Sequence, residues 1–188
     1  KENKKAKKII DKAEIFWNSI NNKKHNGIIF IETTSVKINN SDFGFKHINK
    51  DWGKVKWLAL IEKLKKKFLI IQSLHSKSIH YDGIFEFESN FRGAAAAMKM
   101  TNLFLGPEGG FGHVAAALNK PAVIIFGGWI HPQSTGYDFH DNIYVDIKGS
   151  PCGIYSQECD HCKECMNRIS VEKVEKSVIR NFNKKMSL

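Results

Sequence analysis

Asn102-Leu-Phe-Leu-Gly-Pro-Glu-Gly-Gly110 runs directly into Phe111-Gly-His-Val-Ala-Ala-Ala-Leu118 and on into Asn119-Lys-Pro-Ala-Val-Ile-Ile-Phe-Gly127. A short apolar run, a glycine turn, a small-residue helix and a second short apolar run read as strand, helix and strand. Working outward, Gly27–Glu32, Phe68–Ser73 and Gly83–Phe87 read as earlier strands and Asn142–Ile147 as a later one. Helices are expected at Lys4–Ile20, Trp52–Lys67, Ala94–Met100 (capped by Asn90 or Ser89) and Val171–Lys185. Ile9, Ile10, Ala13, Phe16, Trp17 and Ile20 make one stripe on the first helix. Val55, Leu58, Ile61 and Leu64 recur every third residue on the second and are expected to face inward. Strands alternating with helices specify an α/β class. The expected form is a Rossmann-like parallel sheet of about six strands with helices on both faces. Residues 1–26 read as an N-terminal helix and linker. Residues 27–188 read as the Rossmann-like domain, with a Cys-rich loop at 152–165.

The chain has 188 residues, 42% of them hydrophobic and 26% charged, which excludes disorder, collagen and a disulfide-dense mini-protein as descriptions of the whole. The longest strongly apolar runs, such as Ala122–Phe126, fall far short of the roughly 20 residues of a membrane-spanning helix. Lysines near Lys1 precede a mixed polar helix, not the apolar core of a secretory leader. The net charge is +10, almost all from lysine, with Arg only at 92, 168 and 180. That balance suits phosphates, nucleic acid or an anionic membrane surface, or simply solvated helix faces. Scarcity of Arg argues against base readout, where Arg forks dominate.

Ligands of such sheets bind beyond the carboxyl ends of the strands. The loops of interest are then 32–50, 73–82, 106–113 and 127–140. The glycine turn opens a helix, so free amides and the positive helix end form an anion site flanked by Glu108 and His113. The competing reading is a turn that merely packs helix on strand. Neither a Walker loop nor a G-x-G-x-x-G fingerprint is present. The long loop with His131, Tyr137 and His140 is expected to overhang the cleft. Cys152, Cys159, Cys162 and Cys165 form Cys-x6-Cys-x2-Cys-x2-Cys. Four such thiols read as a structural zinc or iron site, as packed free thiols or as disulfides. In each case they serve as a clasp for the final helix.

Read together, Gly106 to Gly127 resembles the heptosyltransferase family, glycosyltransferase family nine. Its signature is an Asp-x-Gly-x-x-His turn, a small-residue helix and a Lys-Pro strand ending in Phe-Gly. Glu32-Thr-Thr34 closing the first strand, Lys50-Asp-Trp52 before the next helix, and Cys165 to Ile169 fall in the family's order. The resemblance covers roughly Ile28 to the C-terminus.

The resemblance implies one half of a GT-B fold: the C-terminal, donor-binding domain of an inverting glycosyltransferase for lipopolysaccharide or another surface glycan. It implies that Thr33, Thr34, Lys50, Glu108, Gly109, Gly110 and His113 hold an ADP- or UDP-linked sugar, with no cofactor needed for the chemistry. Glu108 stands where the family has Asp, which bears on donor specificity. The family's general base lies in the other half, so an N-terminal acceptor domain or chain is expected, and a glycan or lipid-linked acceptor. This chain, which does not begin with Met, then reads as a piece of a larger enzyme, cytoplasmic or peripheral at the inner membrane face. A branch of the family holds iron through cysteines in this region. The alternatives are a non-catalytic nucleotide-binding module, a sugar-nucleotide epimerase of the same fold, and a zinc-knuckle nucleic-acid-binding protein. No nucleic-acid partner is expected on the leading reading.

Overall fold

A computed structural model describes residues 2–33, 48–75, 78–154 and 157–185. Six strands form one sheet: β1 (Ile28–Ile31), β2 (Leu69–Leu74), β3 (Phe85–Glu88), β4 (Leu103–Pro107), β5 (Ala122–Gly127) and β6 (Asp141–Tyr144). Their order is β3-β2-β1-β4-β5-β6 and every pairing is parallel. This is a doubly wound Rossmann-like sheet, and the winding reverses between β1 and β4.

Strand alternation divides the core into two layers. Ile29, Ile31, Leu103, Leu105, Val123 and Ile125 face one side. There they meet α2 (Lys54–Leu64), α6 (Asp160–Arg168) and α7 (Val171–Lys185). Ile28, Phe30, Phe104, Ile124 and Phe126 face the other. They pack on α1 (Glu2–Ile20), α3 (Phe91–Lys99) and α4 (Gly110–Ala117). Ala13 and Trp17 of α1 lie in this second layer, so the helix preceding residue 27 belongs to the same core as the domain that follows it.

Two stripes differ from expectation. On α2 the buried residues are Trp57, Leu60, Ile61 and Leu64, while Val55 is 79% exposed and Leu58 38%. A strict three-residue repeat drifts off a 3.6-residue helix; the i, i+3, i+4, i+7 set stays on one face. On α1, Ile20, the last residue of the helix, is exposed. Asn90 is the cap of α3: its Oδ1 accepts from the Gly93 amide at 2.8 Å. Asn90→Ala is expected to cost about 1 kcal/mol, read as a lower thermal midpoint.

Two short helices occupy stretches that read as loops. One is α5 (Pro132–Thr135). The other, α6, carries Cys162 and Cys165. Its last carbonyls, from Met166, Asn167 and Ile169, accept from the Lys56 ammonium, and the Trp52 indole donates to Ile169 O. This segment joins α2 to α7 through the packed side chains of Met166, Ile169 and Val174.

Candidate functional site

Beyond the carboxyl ends of β1, β2, β4 and β5 lies a cavity of about 720 Å³. All four expected loops reach it. β1 contributes Glu32, β2 Ser73 and His75, β4 Glu108 and Gly109, and β5 Trp129 and Ile130. Lys50 enters from the 3-10 turn Ile48–Lys50. Phe30, Phe91 and Phe111 form an apolar wall, with the Phe91 and Phe111 rings stacked at 5.2 Å and 20°.

The glycine turn is not required by packing. A Cβ at Gly109 would meet nothing within 4 Å, and one at Gly110 would meet only Phe91 at 4.0 Å. Gly109 has φ 164°, extended backbone open to any residue. What the missing side chains leave is access from the cavity to the first amides of α4, which have no partner inside the helix. That disfavours the reading as a packing turn.

Lys50 is nearly buried and donates to the Glu108 carboxylate, while its ammonium sits 4.2 Å from the centre of the Trp129 ring. The carboxylate and the ring offset the cost of burying the charge. An anionic ligand would share this lysine with Glu108. Burial raises the Glu32 carboxyl to about 8, so it is largely neutral at pH 7. The cavity therefore holds one salt-bridged pair and one carboxyl that burial biases toward its neutral form.

Of the other expected residues, His113 is exposed at the cavity rim, its Nδ1 3.0 Å from the Tyr137 hydroxyl. Thr33 is buried beside the Tyr81 phenol and is not among the cavity-lining residues; strand alternation gives that position to Glu32. Thr34 lies outside the described residues. His131 and His140 stay out of the cavity lining. His131 Nδ1 accepts from the Gln133 amide at the start of α5, and His140 is buried against Phe139 and Tyr137. The long loop reaches the cavity through Trp129, Ile130 and Thr135 instead.

Trp129 and the phenylalanine wall carry no sequence motif, and Glu32 stood only as the first residue of Glu32-Thr-Thr34. It was otherwise legible only as the end of a strand, although strand ends are where such cavities form.

All four cysteines are free thiols. Cys152, Cys159 and Cys162 gather with His161, each offering a ligand atom within 4.8 Å of the others. The Cys152 and Cys159 sulfurs are 3.8 Å apart, close to the edge of a tetrahedron around zinc with its roughly 2.3 Å metal–sulfur bonds, whereas the Cys152 and Cys162 sulfurs are 3.0 Å apart and would have to separate to bind one ion. Burial acts to raise the Cys159 thiol, but hydrogen bonds from Cys162 and Cys152 outweigh it and lower the pKa. Burial pushes Cys162 far up. Cys165, expected as the fourth ligand, is outside that group, although its sulfur is 3.8 Å from His161 Nε2. It packs under Gly128, where an added Cβ would come within 2.3 Å of its sulfur, and beside Ser150 Oγ at 3.7 Å. His161 and Cys165, four residues apart, share one face of α6, and Cys165 continues from His161 toward Gly128 and Ser150.

No family profile matches the sequence, and no curated protein matches it. Solved structures do. Heptosyltransferase II from E. coli, described as an ADP-heptose lps heptosyltransferase, superposes with a TM-score of 0.63 at 15% identity over 93% of this chain and 52% of that one. The fold is that of the family-nine glycosyltransferases. A family-nine glycosyltransferase from Veillonella parvula gives 0.62 at 15% identity, covering 94% of this chain and 52% of that chain. The iron-containing dodecameric glycosyltransferase TibC from enterotoxigenic E. coli gives 0.63 at 16%, covering 84% and 45%. The chain thus spans about half the length of the structures it resembles. Among the described residues no helix is long and apolar enough to cross a membrane.

Proposed function

We propose that this chain is the donor-binding half of a glycosyltransferase of the heptosyltransferase kind, and that its cavity takes a nucleoside-diphosphate sugar. The observation that carries the reading is the open glycine turn facing Lys50 across the switch point of the sheet. A diphosphate leaving group gains negative charge as the sugar departs. The Lys50 ammonium and the amides of Gly110 and Phe111, reached past Gly109, stabilise that charge without a metal. The phenylalanine wall suits the flat base, and Glu108 suits the sugar hydroxyls. Solved relatives of similar fold are described with ADP and with ADP-heptose bound, which supports an ADP-linked donor ahead of a UDP-linked one. Deprotonating the acceptor hydroxyl falls to a base in a partner half. The acceptor is then a growing surface glycan, made on the cytoplasmic side of the membrane.

Titrating ADP and an ADP-linked sugar against the chain and Lys50→Ala tests this. Loss of one charge-assisted contact is expected to weaken binding by roughly 1.5–3 kcal/mol, while the chain alone transfers no sugar. Equal affinities for the two proteins would remove Lys50 from the site. Product made by the chain alone would remove the two-half scheme.

The cysteine cluster is proposed as a structural metal site, with Cys152, Cys159 and Cys162 as thiolate ligands and His161 as the fourth in place of Cys165. The burial of the cluster behind Trp129 favours this over a surface zinc knuckle for nucleic acid.

A further inference from the structure

The cysteine cluster and the cavity are far apart in the chain's topology but joined in space. Asn49, the residue before Lys50, is buried, and its Nδ2 donates to Ile154 O at 2.8 Å and Gln157 O at 3.1 Å. Both carbonyls belong to the loop between Cys152 and Cys159. The Trp129 indole donates to the same Ile154 carbonyl at 2.9 Å. The return bonds run from Cys152 N to Gly128 O and from Gly153 N to Trp129 O, at 3.1 and 3.0 Å. Trp129 packs in one cluster with Cys159 and Cys162, and its ring lies under the Lys50 ammonium. Lys50 is therefore held on two sides by groups anchored to the cysteine loop. One is its own neighbour Asn49; the other is the ring it rests on.

We infer that Asn49 and Trp129 are positioning residues that couple the cysteine loop to Lys50, so that a metal ion closing the loop and an anionic ligand in the cavity bind cooperatively. The inference rests on the donor-site and metal-site readings above. Its physical basis is ordering. Ligation ties Cys152, Cys159, His161 and Cys162 to one centre, which fixes the Ile154 and Gln157 carbonyls. Those carbonyls then fix Asn49 and Trp129, and the ligand no longer has to order Lys50 as it binds. Coupling between two binding sites is reciprocal: zinc must tighten ADP by the same factor as ADP tightens zinc.

The test uses Zn²⁺ and ADP as probes. ADP affinity is measured calorimetrically on protein carrying one equivalent of zinc and on protein stripped with a chelator. The proteins are wild type, Asn49→Ala, Trp129→Phe and Lys50→Met, with circular dichroism confirming each fold. Zinc is expected to tighten ADP about tenfold in wild type, within the usual range of allosteric factors. The factor should shrink toward one in Asn49→Ala, although that variant still takes up one equivalent of zinc. Trp129→Phe keeps a ring under Lys50 but loses the bond to Ile154, and should show a reduced factor. In Lys50→Met the factor should vanish, because the coupling has nothing left to act on; a merely structural role for the loop would leave it unchanged. Equal ADP affinity of loaded and stripped wild type, or a full factor in Lys50→Met, overturns the coupling. Absence of zinc uptake overturns the metal reading. Wild-type ADP affinity in Lys50→Met overturns the donor reading instead, so the failures are distinguishable.

Discussion

Gly109→Thr is expected to abolish nucleotide binding while leaving the fold intact. The position has extended backbone, and a Cβ there meets nothing, so the protein itself accommodates the side chain. Threonine is also a favourable residue at a helix start, so the thermal midpoint should stay near that of wild type. Its three added heavy atoms occupy the space from which a phosphate would reach the Gly110 and Phe111 amides. Losing two such bonds to a charged group, at about 1.5–3 kcal/mol each, amounts to a fall in affinity of more than about a hundredfold. The measurement is an ADP titration beside a melting curve. A variant that melts like wild type and still binds ADP would return the turn to a packing role. One that fails to fold would show that the space is structural after all.

The second large effect concerns Glu32 and pH. Its carboxyl ordinarily titrates at 4.5 and in the folded chain at about 8, because burial disfavours the charged form. Between those values the folded protein keeps a proton that the unfolded chain has lost. Raising the pH through this window therefore lowers stability, by at most about 1.4 kcal/mol per pH unit, and the loss is complete above pH 8. Glu32→Gln is neutral throughout and lacks the slope. The variant should match wild type near pH 4.5 and exceed it by several kcal/mol near pH 8.5 in denaturant unfolding. His140, whose pKa burial lowers, acts in the opposite sense on acidification, but it is present in both proteins and cancels in the difference. Parallel pH profiles for the two proteins would mean that Glu32 is solvated. The same neutral acid can donate to a ligand oxygen, so ADP affinity should also decline in wild type above pH 8.

Much of this was legible beforehand for a physical reason. Parallel strands buried on both faces read as short apolar runs. Phe68–Ser73 and Pro121–Phe126 therefore announced β2 and β5 to within about a residue, and Val171–Lys185 matched α7 at both ends. The glycine turn could be named because backbone access is a property of residue type, and Lys50 because Lys50-Asp-Trp52 resembles a piece of the family's pattern. The facing of α2 was misjudged at Val55 and Leu58, where a three-residue count replaced the helix period. Two short helices were invisible. α5 is a single turn begun by Pro132, and α6 is mostly polar, its burial supplied by cysteines and one methionine.

The sequence by itself determined the class of fold, the number of strands and the chemistry available at the turn. These depend on local periodicity and on side-chain identity, which any short window displays. Tertiary structure alone decided the rest. It placed Glu32 in the cavity and Thr33 outside it. It chose His161 over Cys165 beside the three gathered thiols. It also brought the loop at 152–159 against Asn49 and Trp129. The last of these depends on hydrogen bonds between segments more than a hundred residues apart, formed when the sheet closes and carrying no trace in the spacing of either segment.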